Sequence, residues 1–216
     1  MAEVGYETPP LEFDKAPKGK IPYIIEGERV MGDSTLIIQH MADTRGIDLD
    51  RGLSPRDRSI ATAVRRMIKE NTYWCLYTTR YMIPENWVIY REIIADILVP
   101  GASAEIREAV ANQIKAGIDA AAHGHGWGRH QLDEAALLSR QDLDALSTLV
   151  GDNTWAMGSD EPTTLDATVF GYIGNLIEAP FNDPITTHAR SLTNLVELCG
   201  RVRARYFPEL DVARAD

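Results

Sequence analysis

Ile60, Val64, Met67, Asn71, Trp74, Thr78 and Tyr81 recur at steps of 4, 3, 4, 3, 4 and 3. That period keeps one face of a helix in register and predicts a long helix ending near Pro84. A helix with one apolar face must bury it against other elements, so this part of the chain is committed to helix-on-helix packing. The residues that follow agree. A helical run covers about 85–98 and stops at Pro100-Gly101, and a third run uses Ile106, Val110, Ile114 and Ile118 as its apolar face. Further runs use Leu132, Ala136, Ser139, Leu143, Leu146 and Val150, then Leu165, Val169, Tyr172 and Leu176, then Leu192, Leu195, Cys199, Val202 and Tyr206. The segment His123–His130 breaks the pattern as an inter-helix turn, and residues 151–162 form a loop.

The first fifty residues are of a different kind. Pro9, Pro10, Pro17 and Pro22 punctuate short apolar runs. Ile21–Ile25 and Arg29–Met31 flank Glu26-Gly27-Glu28, which predicts a β-hairpin with glycine in the turn. After Gly32, Asp33 or Ser34 caps a helix that places Leu36, Ile37, His40 and Met41 on one face. The architecture is therefore α/β followed by all-α: residues 1–45, a linker at 46–53, a bundle of five or six helices over 54–208, and a tail at 209–216.

Charge narrows the partners. Across 216 residues, 22 Lys+Arg against 32 Asp+Glu give a net charge of −10. Nucleic acid and anionic membrane need a positive face, so a nucleic-acid-binding helical regulator is disfavoured. The greasiest stretch, Ile93–Val99, is interrupted by Asp96 and falls far short of a membrane span. No secretory leader is recognisable. The expectation is a cytoplasmic protein with no membrane span, in which Cys75 and Cys199 are reduced core thiols.

Chemistry concentrates in two places. An X-Pro bond such as Ile21-Pro22 is where a cis peptide is cheap, and a cis bond turns the Ile21 backbone outward to pair with an extended ligand. Ser34 and the first amides of its helix make an anion site, with Asp33 beside it to hold an ammonium. Together these suit a small peptide with a free amino-acid end; an edge proline beside an ordinary Asp/Ser cap is the alternative. The second place is the first long helix, where Asn71, Tyr73, Trp74, Tyr77 and Tyr81 cluster. Core packing explains the aromatics, and Asn71, polar on an apolar stripe, needs a partner, expected to be backbone across a helix junction. Arg129 is a further candidate anion contact. His123, His125 and His130 lack a fixed scaffold and a completing Cys or carboxylate, so no metal is expected. Arg201, Arg203 and Arg205 are expected to be a solvated helix end favoured by the dipole.

Pro17-Lys18-Gly19-Lys20-Ile21-Pro22-Tyr23-Ile24 with Gly32-Asp33-Ser34-Thr35-Leu36-Ile37 resembles the glutathione-binding half of the thioredoxin-like domain of glutathione transferases. Pro162-Thr163-Thr164-Leu165-Asp166-Ala167 resembles the helix-start box of that family's all-helical domain, with Thr163 and Asp166 capping reciprocally. Gly126-Trp127-Gly128-Arg129-His130 and Tyr206-Phe207-Pro208-Glu209 resemble the metaxin-like and failed-axon-connections-like branch. The resemblance implies that Ile21, the residue before a cis Pro22, pairs with the cysteinyl backbone of glutathione and that Asp33 and Ser34 hold its γ-glutamyl end. It implies a pocket for a small electrophile between the lobes, with Asn71, Trp74, Tyr77 and Arg129 as candidates, and a homodimer.

One departure bears on activity. The family carries its catalytic Tyr, Ser or Cys after a first strand, and a strand–helix–strand unit takes about 30 residues or more. Only 20 residues precede Ile21, and residues 4–13 resemble the second strand and its exit, so Tyr6 is not the catalytic hydroxyl. Either the chain begins at an internal Met of a longer protein, or it works with a reduced domain. The expected function is conjugation or binding of glutathione with small electrophiles, the catalytic residue being unknown. The alternative is a non-catalytic interaction or scaffold module of metaxin-like type.

Overall fold

Short apolar runs around Gly27 fold back on each other. In the computed structural model, which describes residues 4–10 and 12–209, β1 (Tyr23–Glu26) pairs antiparallel with β2 (Arg29–Gly32). Tyr23 lies opposite Gly32 and Glu26 opposite Arg29. Gly27 opens the two-residue turn at φ +61°. Positive φ at that position matches the turn to the right-handed twist of the strands, and glycine adopts it without steric cost.

The helix α1 (Ser34–Arg45) is tied to the hairpin by charge. Arg29 donates to His40 Nδ1 at 3.2 Å, so Nε2 carries the proton it donates to Glu26 at 2.6 Å. Arg45 donates to the other Glu26 oxygen at 2.5 Å. The hydrogen bond from His40, then that from Arg45, holds the Glu26 carboxyl below its ordinary value. No residue of α1 is fully buried. The strand expected over 4–13 is not seen: described residues 4–10 are irregular and Phe13–Lys15 is a 3₁₀ turn, while Leu11 lies outside the described residues. Pro9 and Pro10 lack the donors a ladder needs. The expected tail also lies outside the described residues, except for Glu209.

A boundary between Arg51 and Gly52 separates this first unit from the second. The second unit opens with the long helix, in four parts. After α2 (Pro55–Met67) comes a π-helical segment, Ile68–Thr72, then α3 (Tyr73–Tyr77) and another π segment, Thr78–Met82. The antiparallel pair α4 (Pro84–Leu98) and α5 (Ala104–His125) follows, then a 3₁₀ turn at Trp127–Arg129 and α6 (Leu132–Val150). Next, α7 (Thr164–Val169) runs through a third π segment, Phe170–Gly174, into α8 (Asn175–Ile177). The chain closes with α9 (Pro184–Ser191) and α10 (Thr193–Tyr206). Leu143, Leu146, Leu165, Ile173, Leu195 and Leu198 are the centre of one continuous core. A second cluster joins Trp74, Tyr77 and Trp127 to Ala122 and Ala135.

Several elements depart from the periodicity. The α5 stripe expected in the core stands partly in solvent, with Ile106 52% and Ile114 40% exposed. The face that α5 does bury carries Ala111 and Ala122, small side chains that let a neighbouring backbone come close. His123 and His125 belong to the last turn of α5 instead of a loop. Trp127, three residues after Gly124, is buried, and its indole N–H donates to Thr78 Oγ1 at 2.9 Å. Gly128 is required there: a Cβ would sit 2.8 Å from the His123 backbone nitrogen. The C-terminal arginines are not simply solvated, since Arg203 is buried and ion-paired with Glu178, and Arg205 pairs with Glu161. The helix α9 was not apparent from periodicity. Its signal is the cap-and-proline start Asp183-Pro184.

Candidate functional site

The hairpin register brings the N-terminal candidates together. Tyr23 opposes Gly32, so Ile21-Pro22 entering β1 and Asp33-Ser34 leaving β2 lie at the same end of the hairpin, though separated by ten residues of chain. The Ile21–Pro22 bond is cis. Ile21 is 52% exposed.

Asp33 is the one non-glycine residue with positive φ among the described residues, at φ 82° and ψ 114°. Its Oδ1 accepts the Thr35 N–H at 2.8 Å, and its carbonyl accepts the Ile37 N–H at 2.9 Å. A carboxylate thus caps α1 from a backbone region that L-residues seldom occupy. Such strain costs about 1–3 kcal/mol and persists where the surroundings impose it. Ser34 is the first residue of α1, at the positive end of its dipole. The arrangement offers exposed carboxylate, a hydroxyl and helix-start amides within two consecutive residues.

In the second unit the candidates are engaged internally. Asn71 donates to Asp142 Oδ2 at 2.8 Å, and Thr72 Oγ1 donates to the same oxygen at 2.7 Å. The partner of Asn71 is therefore a carboxylate of α6 instead of the expected backbone group. Tyr77 donates to Asp119 Oδ1 at 3.0 Å, and Lys115 holds Asp119 Oδ2 at 2.7 Å. Burial, then the bond to Asp119, pushes the Tyr77 phenol up to about 12. Tyr77 therefore keeps its proton at neutral pH. Trp74 is buried, with its ring centroid 4.7 Å from that of His125. Arg129 is exposed and donates from Nε to the His123 carbonyl at 3.1 Å, closing the end of α5.

The sulfur atoms are inert. Cys75 and Cys199 are free and buried, and burial raises each thiol to about 12. Among the described residues no group of three or more His, Cys, Asp or Glu is placed to hold a metal. No described helix is long and apolar enough to cross a membrane.

The helix-start box is fully formed. Asp166 Oδ2 accepts the Thr163 N–H at 2.7 Å and the Thr163 hydroxyl at 2.8 Å, while Oδ1 accepts the Ala156 N–H at 2.7 Å. Asp166 is fully buried, so it fastens the 151–162 loop to α7 from inside. A parallel cap on α9 escaped the sequence. Asp183 accepts the amides of Ile185 and Thr186 at 2.9 and 3.0 Å, and buried Asn86 of α4 donates to it at 3.1 Å.

Two family models match the chain, the first running past the boundary between the units. The family described as "Glutathione S-transferase N-terminal domain" matches residues 1–86, and "Glutathione S-transferase, C-terminal domain" matches residues 139–202. The chain is 28% identical over 215 residues to the isoprene-epoxide–glutathione S-transferase of Rhodococcus sp. (strain AD45), covering 94% of this chain and 86% of that one. It is 24% identical to Failed axon connections of Drosophila melanogaster, over 91% of this chain and 49% of that protein. It is 25% identical to human Metaxin-2, over 90% of this chain and 72% of that protein. No solved structure matches the chain.

Proposed function

Because the chain belongs to the glutathione S-transferase superfamily, in a metaxin-like branch, we propose that it binds glutathione at the open end of its hairpin and presents the thiol to a small electrophile. The observation that carries this reading is Asp33, held at φ 82° while capping α1 directly before Ser34. In this reading the Ile21 backbone pairs with the cysteinyl unit beside Pro22. Ser34 and the α1 amides receive the γ-glutamyl carboxylate, and Asp33 receives its ammonium. The Rhodococcus relative is named for an epoxide substrate, which makes an epoxide the electrophile to try first. The thiolate sulfur attacks a ring carbon, the strained C–O bond breaks, and the alkoxide takes a proton. No residue is assigned to stabilise the thiolate. We further propose a homodimer acting in the cytoplasm, to be checked by light scattering and fractionation.

The test is calorimetric titration with glutathione. Saturable binding at up to millimolar concentration is expected, weakened about 10- to 100-fold by Ser34→Ala, the scale of one charge-assisted hydrogen bond. No heat and no retention of the wild-type chain on immobilised glutathione would overturn the reading.

A second reading, a non-catalytic interaction module of metaxin-like type, has its own observation. Asn71, Trp74, Tyr77 and Arg129 are committed to Asp142, His125, Asp119 and the end of α5. Glutathione binding without consumption of small epoxides would favour this module.

A further inference from the structure

The second unit holds a cavity of about 470 Å³ in which two of the three π segments meet. One supplies Arg80; the other supplies Phe170, Gly171 and Gly174. π turns are uncommon and are frequent at functional sites. None of the residues proposed above to hold glutathione, or expected to line an electrophile pocket, borders this cavity.

The lining divides sharply by chemistry. Ile93, Ile97, Tyr90 and Phe181 give it an apolar wall, and Ile97 stands 68% exposed at its edge. Arg80 is the cation. Its Nη2 donates to Asn175 Oδ1 at 3.3 Å, and its guanidinium lies 4.9 Å from the centroid of the Tyr90 ring. Both partners are neutral, so Arg80 is oriented without being neutralised, and among the described residues it makes no ion pair. The cavity's carboxylate, Glu178, is paired with Arg203. A positioned guanidinium with free fork donors beside an apolar wall is the arrangement that recognises a carboxylate on a hydrocarbon. The volume falls within the range of small-molecule sites.

We propose that this cavity binds an amphipathic carboxylate of medium chain length, with the carboxylate on Arg80 and the hydrocarbon along Tyr90, Ile93 and Ile97. Such a ligand complements both halves of the lining, whereas a neutral one would use the apolar wall alone.

Two variants separate the parts of the proposal. Arg80→Gln removes the charge. Gly171→Leu adds bulk to the lining, and beyond the chain neighbours and backbone of its own helix nothing lies within 4 Å of the added Cβ, so this variant should fold. Calorimetry with sodium decanoate, with 1-decanol as the uncharged control, is the measurement, each variant's fold being checked by circular dichroism. The expected result is saturable decanoate binding to the wild type, weaker by about tenfold or more in Arg80→Gln, with decanol little changed. Gly171→Leu should lose both ligands. The proposal is overturned if decanoate does not bind the wild type or binds Gly171→Leu as tightly. It is also overturned if Arg80→Gln leaves decanoate affinity unchanged.

Discussion

An aspartate serves the opening of α7 and another the opening of α1, and the two openings could hardly differ more. At α7, Asp166 is fully buried and its two oxygens take bonds from Ala156 and from both the amide and the hydroxyl of Thr163. At α1, Asp33 is exposed and caps Thr35 from a backbone at φ 82°. The first is relaxed and turned inward; the second is strained and turned outward. Burial makes Asp166 a fastening, because each unsatisfied amide inside the fold would cost about 1–3 kcal/mol. Asp33 keeps its cap while exposed and at positive φ, a combination common where a ligand is held, in keeping with the glutathione contact proposed above.

The comparison is most severely tested at Asp166. Asp166→Ala orphans two buried amides and a loop junction, and should lower unfolding free energy by about 3–5 kcal/mol in urea titration. A loss below about 1 kcal/mol would remove it from the fastenings. Asp166→Asn, which keeps an acceptor for one amide, should fall between. Asp183→Ala, at the second buried cap, should cost about 2–4 kcal/mol. At the exposed opening the balance inverts. Asp33→Gly suits the positive φ and loses only a few tenths as a cap, so stability should hold or rise by about 1 kcal/mol while glutathione affinity falls. A gain in both would mean the strain serves nothing.

The smallest effect concerns acid. The Glu26 carboxyl is held below its ordinary value by His40, then Arg45. Its contribution to joining hairpin and α1 is present above the unfolded value of about 4.5 and is lost as pH falls through the lowered native one. Glu26→Gln should flatten that acid limb, followed by NMR shifts of the His40 and Arg45 side chains. An acid limb unchanged in Glu26→Gln would assign it to other carboxylates.

Much of this is legible in the sequence. The Thr163-Asp166 spacing is a local rule, and a local rule survives folding. The hairpin, the long helix and the helix-start at Ser34 are local in the same sense. The partners were not legible, because they depend on where distant segments meet. Asn71 finds Asp142 across 71 positions, and Tyr77 finds Asp119 across 42. Periodicity misjudged α5 because it registers which side chains are apolar, not which face a neighbour occupies. Arg203 looked solvated for the same reason, since a charge count along the chain does not show Glu178 beside it. The π segments leave no mark in a pattern of threes and fours, yet they place Arg80 and Gly171 on one cavity.

Arg190 has a consequence for how this molecule ages in a cell. Its guanidinium gathers the carbonyls of Ile177, Ala179 and Phe181, at 2.8, 2.5 and 2.9 Å. The stretch between α8 and α9 thus lacks regular secondary structure but not hydrogen bonds. A protease must draw an extended segment into its cleft, and this segment is clasped at three successive points by one side chain, with Phe181 buried beneath it. Nicking there should await global unfolding, which makes an irregular surface segment as durable as the helices on either side.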